Sequence, residues 1–178
     1  TYKIGMDNHN FARGSIHYVG SEIRSVILNK MHVGLQDEIC VIGGESIAIE
    51  AAIIASEGSV IAVEYNQNDR ATMESNIEHF GLHNIHIIDH VDEKTMEGCP
   101  VPSLVFLVAS ASMEQEIECL LKLNPKIEIV VYTLDFGVAA SLPKLFEKYG
   151  VRDVEVIQIA VSKLNGKNTF EQQPAPWI

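Results

Sequence analysis

Gly43 and Gly44 stand between an apolar run and an apolar helical pattern, and Glu64 closes the next apolar run, about 20 residues past the glycines. Glycines let a backbone come close to a ligand. A helix starting just after them offers free N–H groups, and a carboxylate at a strand end can accept both hydroxyls of a ribose. The stretch from Asp37 to Glu64 is thus laid out as the strand, glycine turn, helix and strand of a nucleotide- or adenosyl-binding unit. Each residue also has a plainer reading. The glycines suit any strand-to-helix turn that needs a positive φ. Glu64 could be a solvated strand end. Glu45 suits a helix N-terminus by charge alone or could meet a ligand ammonium. Glu50, one turn into an apolar helix, is either a buried acid bonded to the N-terminal segment or a wall of the cleft.

Other reactive side chains give weaker patterns. His79, His83, His86 and His90 cluster in the sequence, but across a helix end, a turn and a strand. His86 and His90 are four apart in an extended segment, which is not the helical geometry of a zinc pair, so no metal site is expected. Ser110 and Ser112 have no histidine or acid at triad spacing. Cys40, Cys99 and Cys119 lack metal spacing, and Cys40 sits in an apolar run where a thiol acts as a small apolar group.

The whole composition narrows the class. The chain has 178 residues, 47% of them hydrophobic, and a net charge of −11. That is enough length and apolar content for a real core. The acidic balance argues against tight nucleic-acid binding by the bulk surface, because phosphate contacts need Lys and Arg. Apolar segments stay far below the roughly 18 residues of a membrane span, and no signal peptide is read. A reducing, cytoplasmic setting is expected.

Apolar strands alternate with amphipathic helices. Residues 1–20 read as an irregular N-terminal arm, and 21–178 as a single domain. A helix is expected from Ser21 to about Met31, with Ile23, Val26, Ile27 and Met31 on one face. Strands follow at about Glu38–Ile42, Ser59–Glu64, Ile85–Ile88, Ser103–Val108 and Ile127–Thr133. Helices are expected at about Ser46–Ser56, from Asn66 or Asn68 to Phe80, at Met113–Leu123 and at Gly137–Tyr149. The pattern then changes: Val154–Leu164 reads as a long strand, Asn165-Gly166 as a hairpin turn, and 168–173 as the return strand. The fold class is α/β, with a mostly parallel seven-stranded sheet and a C-terminal antiparallel hairpin. This is the Rossmann-like architecture of class I S-adenosylmethionine methyltransferases, in which the last strand inserts antiparallel between two neighbours.

The opening makes the likeness more specific. Phe11, Arg13 and Gly14 match an F-x-R-G element. Glu22, Ile23 and Arg24 match the end of a P-M-T-K-E-E-V-R segment, and Ile47–Ala52 matches an S-x-x-I-E-A-A helix, Glu50 included. With these motifs, the chain resembles the decarboxylating precorrin methyltransferases of cobalamin biosynthesis from about Gly5 to the hairpin. The family methylates ring carbon 15 of a tetrapyrrole and removes carbon dioxide from an acetate side chain. The resemblance implies S-adenosylmethionine as cofactor, a tetrapyrrole as substrate, no nucleic acid or membrane partner, and a homo-oligomer of the tetramer type. It places the cofactor against Ile42, Gly43, Gly44, Glu45, Glu64, Tyr65, Val91 and Val108, and the substrate near Arg13, His17 and Ser110. Arg13 suits a carboxylate-rich macrocycle because its guanidinium is a fork; a salt bridge holding the arm is the alternative. Transfer from a sulfonium rests on positioning, so no catalytic base is expected to stand out, and none does.

The departures from the family fall at the ligand-facing motifs. A D-I-G-A-G-T-G-S turn is replaced by VIGGES, about two residues shorter, with Val41 in place of the leading carboxylate. The acidic position after the third strand falls near Val91. The glycine-rich G-G-S-G-G after the fourth strand is Val108 to Ser112, and Val19-Gly20 replaces Thr-Lys. A second reading follows from this erosion: a catalytically silent relative acting as an oligomeric or partner-binding protein.

Overall fold

Alternation along the central strands decides the architecture. Ile39 and Val41, Val60 and Ala62, and Leu104 and Phe106 bury on one face of the sheet. Cys40 and Ile42, Ile61 and Val63, and Val105 and Leu107 bury on the other. A strand apolar on both faces needs helices on both sides. The protein is described by a computed structural model covering residues 5–7, 19–167 and 169–178.

The elements run α1 (Ser21–Met31), β1 (Glu38–Ile42), α2 (Glu45–Ile54), β2 (Ser59–Val63), α3 (Gln67–Phe80), β3 (Ile85–Ile88), α4 (Glu93–Met96), β4 (Leu104–Val108), α5 (Met113–Leu123), β5 (Glu128–Tyr132), α6 (Phe136–Lys148), β6 (Ser162–Leu164) and β7 (Phe170–Gln172). The first five strands form a parallel sheet in the order β3-β2-β1-β4-β5. The order reverses at β1, which opens a crevice beyond the carboxyl ends of β1 and β4, where ligands settle in such sheets. α1 and α2 pack on one face, with Met73 and Phe80 of α3. Met113, Ile117 and Leu120 of α5 and Leu142 and Phe146 of α6 cover the other.

Local chemistry sets the boundaries. Asn66 caps α3, its side chain accepting from the amides of Asn68 at 2.7 Å and Asp69 at 3.3 Å; this settles which asparagine starts the helix. Gly81 ends α3 in the left-handed region, as a glycine past a helix end does. α4 is the element the sequence reading lacks. Its four residues give no periodicity, but Asp92 and Thr95 close a capping box around it. α1 starts at Ser21, as expected, with Gly20 at the cap position.

The seven-stranded expectation is corrected in one respect. The continuous ladder has five strands, and β6 and β7 pair separately and antiparallel. Among the described residues, only isolated bridges lie between them and β5. Thr133 and Trp177 exchange both backbone bonds, at 3.0 and 2.7 Å, and Ile157 and Ile178 exchange both at 2.9 Å. Residues 176–178 thus run antiparallel between the end of β5 and the 157–159 segment, beyond the return strand expected over 168–173. Pro174 and Pro176 have no N–H to donate, so bridges replace a ladder there. Of the long strand expected over Val154–Leu164, only Ser162–Leu164 is ladder-paired.

Candidate functional site

The carboxyl end of β1 is shaped by two glycines that do different work. Gly43 has φ +77°, which glycine adopts without strain. Gly44 is required by packing: a Cβ there would lie 2.8 Å from a ring carbon of Phe106 and 3.3 Å from Val41 Cγ1. Phe106 is wholly buried in the core and cannot move aside. The Gly44 carbonyl accepts the first bond of α2, from the Ala48 amide at 2.8 Å. The short turn therefore joins strand to helix directly, and Ser46 through Ala52 are all buried. Val41, at the family's leading-carboxylate position, is a core residue on the α2 face. Ile42 lies on the opposite face. Val108, at the end of β4, lies half-buried over Gly43, its Cβ 3.5 Å from where a Gly43 Cβ would stand.

Glu64 follows β2 directly and is only 2% exposed. It is thus not a solvated strand end. Its pKa is pushed up to about 8, first by burial and then by the negative charges of Glu45 and Asp69. Glu45, the first residue of α2, is raised to about 7 by burial and by Asp69. Its Oε1 is out of solvent without a hydrogen-bond partner among the described residues. Asp69, in the first turn of α3, is fully buried. Three carboxyl groups from β2, α2 and α3 therefore converge beside the glycine turn. Arg70 holds the adjoining backbone, its Nη1 donating to the carbonyls of Glu64 and Tyr65 at 3.0 Å each.

The other expected residues are placed as follows. The Tyr65 hydroxyl donates to Oε2 of Glu116 on α5. Val91 is a core side chain, and its carbonyl accepts from Gln115 Nε2 at 2.8 Å. Ser110 is exposed, and its Oγ accepts from the Ser112 amide at 3.1 Å, a local turn before α5. Asp89 and Asp92, which flank Val91, are bridged by the two ring nitrogens of His90 at 2.6 and 2.8 Å. Arg13 and His17 lie outside the described residues. Glu50 is resolved as a structural acid: Oε1 accepts from the Met6 amide at 2.7 Å and Oε2 from Arg24 Nε at 3.0 Å. The sequence reading passed over Asp69 and Glu116. For Glu116 a signal existed, since it shares the helical stripe of Met113, Ile117 and Leu120. Among the described residues, no group of three His, Cys, Asp or Glu side chains is arranged to hold a metal ion, and no helix is long and apolar enough to cross a membrane.

Residues 18–174 match the model of the precorrin methyltransferase domain. The chain belongs to that family. Its precorrin methyltransferase domain has the same fold as three solved structures. One is a precorrin-6Y C5,15-methyltransferase from Geobacter metallireducens, 24% identical, covering 98% of this chain and 94% of that one with a TM-score of 0.84. The second is the C-terminal domain of precorrin-6Y C5,15-methyltransferase from Rhodobacter capsulatus, 19% identical, 97% and 94% covered, TM-score 0.78. The third is a precorrin-8W decarboxylase from Methanobacterium thermoautotrophicum, 17% identical, 97% and 96% covered, TM-score 0.78. No curated protein matches the chain.

Proposed function

We propose that this precorrin methyltransferase domain binds S-adenosylmethionine at the carboxyl ends of β1 and β2 and methylates a carboxylate-rich tetrapyrrole, with loss of carbon dioxide from an acetate arm. The observation that carries the reading is the buried Glu64 beside the Gly43-Gly44 turn, at the switch point of the sheet. The acid set fits the group. Glu64 and Glu45 are buried with raised pKa values, and a ligand that brings hydroxyl donors and positive charge relieves both. Glu64 accepts the ribose hydroxyls, the Gly43-Gly44 backbone borders the methionine portion, and Ile42, Tyr65, Val91 and Val108 supply the walls.

The bound donor supplies a methyl group already activated on a sulfonium. The protein's part is alignment of that methyl with the acceptor carbon and exclusion of water. Arg13, in the N-terminal arm of residues 1–20, takes a carboxylate of the macrocycle, and His17 and Ser110 are the other residues assigned to the substrate. The single domain over 21–178 acts in the cytoplasm as a homo-oligomer. Support for assembly comes from Leu164 and Phe170, which face each other across the β6–β7 pair and are 61% and 73% exposed. Such apolar edges are usually covered.

Calorimetric titration with S-adenosylmethionine and S-adenosylhomocysteine tests the reading. Saturable binding of one ligand per chain is expected. No heat of binding at millimolar ligand overturns it in favour of the silent relative. One observation leans that way: Glu45, at the eroded turn, sets its charge against Glu64.

A further inference from the structure

Glu116 is an anomaly in α5. It lies on the stripe that buries Met113, Ile117 and Leu120, and its side chain has no exposed surface. Its Oε2 accepts from the Tyr65 hydroxyl, while Oε1 is buried with no hydrogen-bond partner among the described residues. A buried carboxylate oxygen without a donor is costly to keep. Such an atom needs an explanation, and a donor that arrives with a ligand is one.

The surroundings say where that ligand would lie. Tyr65 follows Glu64 at the end of β2. The neighbour of Glu116, Gln115, donates to the carbonyl of Val91 just past β3. On the β1 side lies Cys40, whose thiol is held protonated first by burial and then by the nearby charge of Glu116. Glu116 therefore sits where the middle of β1 and the segments just past β2 and β3 meet α5. With its ribose on Glu64, as proposed above, an adenosyl ligand has this corner within reach of its base. Val91 brings only an apolar side chain there, so the corner needs another acceptor for an exocyclic amine.

We propose that Glu116 reads the base of the nucleoside by accepting the 6-amino group of an aminopurine, and that the Tyr65 hydroxyl holds Glu116 closed in the free protein. The inference rests on the donor-binding reading above and adds to it a base-specificity residue outside the strand ends. Tyr65 is 49% exposed, so its ring can turn outward, release Glu116 and offer a face to the incoming base. Once the ring has turned outward, the amine N–H supplies Oε1 with the donor it lacks, while Oε2 gives up the phenol O–H.

Titration with S-adenosylhomocysteine and S-inosylhomocysteine, in which an oxygen replaces the amine, reads this directly. The unmodified protein should take the adenosyl form about tenfold more tightly, the scale of one buried hydrogen bond. Glu116→Gln keeps the shape but presents a donor, and should bring the two ligands within about threefold. Tyr65→Phe removes the closing bond and should raise adenosyl affinity about tenfold. Equal affinity of the unmodified protein for both ligands overturns the inference and leaves the donor reading standing. Binding of neither ligand to the unmodified protein or to Tyr65→Phe overturns both. These two arms decide the question even if Glu116→Gln fails to fold.

Discussion

Arg24 and Glu50 form an ion pair from which water is wholly excluded: Arg24 Nε donates to Glu50 Oε2 at 3.0 Å, and neither side chain has exposed surface. The pair also fastens Met6, whose amide donates to Glu50 and whose carbonyl accepts from Arg24 Nη2. Removing one member leaves the other charge buried and uncompensated. Glu50→Ala should lower unfolding stability by about 3–5 kcal/mol in urea titrations. The double change Arg24→Met with Glu50→Leu should cost far less than the sum of the single changes. Additive costs would show that the pair is not coupled.

Glu64→Ala should weaken S-adenosylhomocysteine binding by about 1–3 kcal/mol, the scale of losing hydrogen bonds to a carboxylate. Titration calorimetry on a variant with unchanged circular dichroism makes the comparison. An unaltered dissociation constant takes Glu64 out of the site.

The raised carboxyls set the slope of stability with pH. Glu64 at about 8 and Glu45 at about 7 hold their protons more tightly when folded than at the ordinary value of 4.5. Their contribution is fully present below 4.5 and is lost as pH rises through about 7 and then about 8. Glu22, Asp89, Asp92 and Glu114 are lowered and act in the opposite sense, but they lie at the surface, where solvent weakens the effect. Thermal melts should therefore show Glu64→Gln losing less stability between pH 5.5 and pH 8.5, a window of roughly the raised range, than the unmodified protein does. Parallel profiles would contradict this.

Gly44→Ala tests the packing at the turn. Its Cβ would meet the Phe106 ring at 2.8 Å. The expected loss is about 1–3 kcal/mol, the usual cost of overfilling a core. Donor affinity should fall too, because relief requires moving the start of α2. A variant as stable as the parent would show that the Phe106 side of the turn yields.

Light scattering should return a mass above that of the 19.7 kDa chain. Leu164→Asp with Phe170→Asp should reduce it to the monomer while leaving the helical spectrum unchanged, since both side chains are exposed within one chain. A monomer before substitution removes the hairpin from any interface.

The parts of this molecule that rest on periodicity were readable from the residues. α1, β1, β3 and α5 have the expected boundaries, and the other expected elements up to α6 differ by one or two residues, because unbroken apolar runs and helical stripes leave few alternatives. The glycine turn and the acid after β2 were readable as a pair. What was hidden depends on contacts between distant residues. No spacing shows that Glu45, Glu64 and Asp69 converge, since three separate elements carry them. Nor does spacing show that a Cβ at Gly44 would meet the Phe106 ring. The choice for Glu50 could be made only once Arg24 and Met6 were seen to surround it. The hairpin turn was legible from Asn165-Gly166, but the breaks in the ladder came from Pro174 and Pro176, whose effect depends on which neighbour their missing amides would have faced.

Those breaks divide the molecule by mechanical robustness. The five parallel strands share continuous ladders, whereas residues 157–178 are tied to them through the reciprocal bonds of Thr133 and Trp177. A seam of so few bonds opens at a lower free energy than a ladder does. In deuterium exchange, the amides of Ile157, Trp177 and Ile178 should lose protection well before those of Cys40 or Val105. The amides of Gly43 and Glu64 donate to Val63 and Ile88 of the parallel sheet and should exchange with the slower part, which would let the C-terminal segment open while the crevice at the end of β1 keeps its shape.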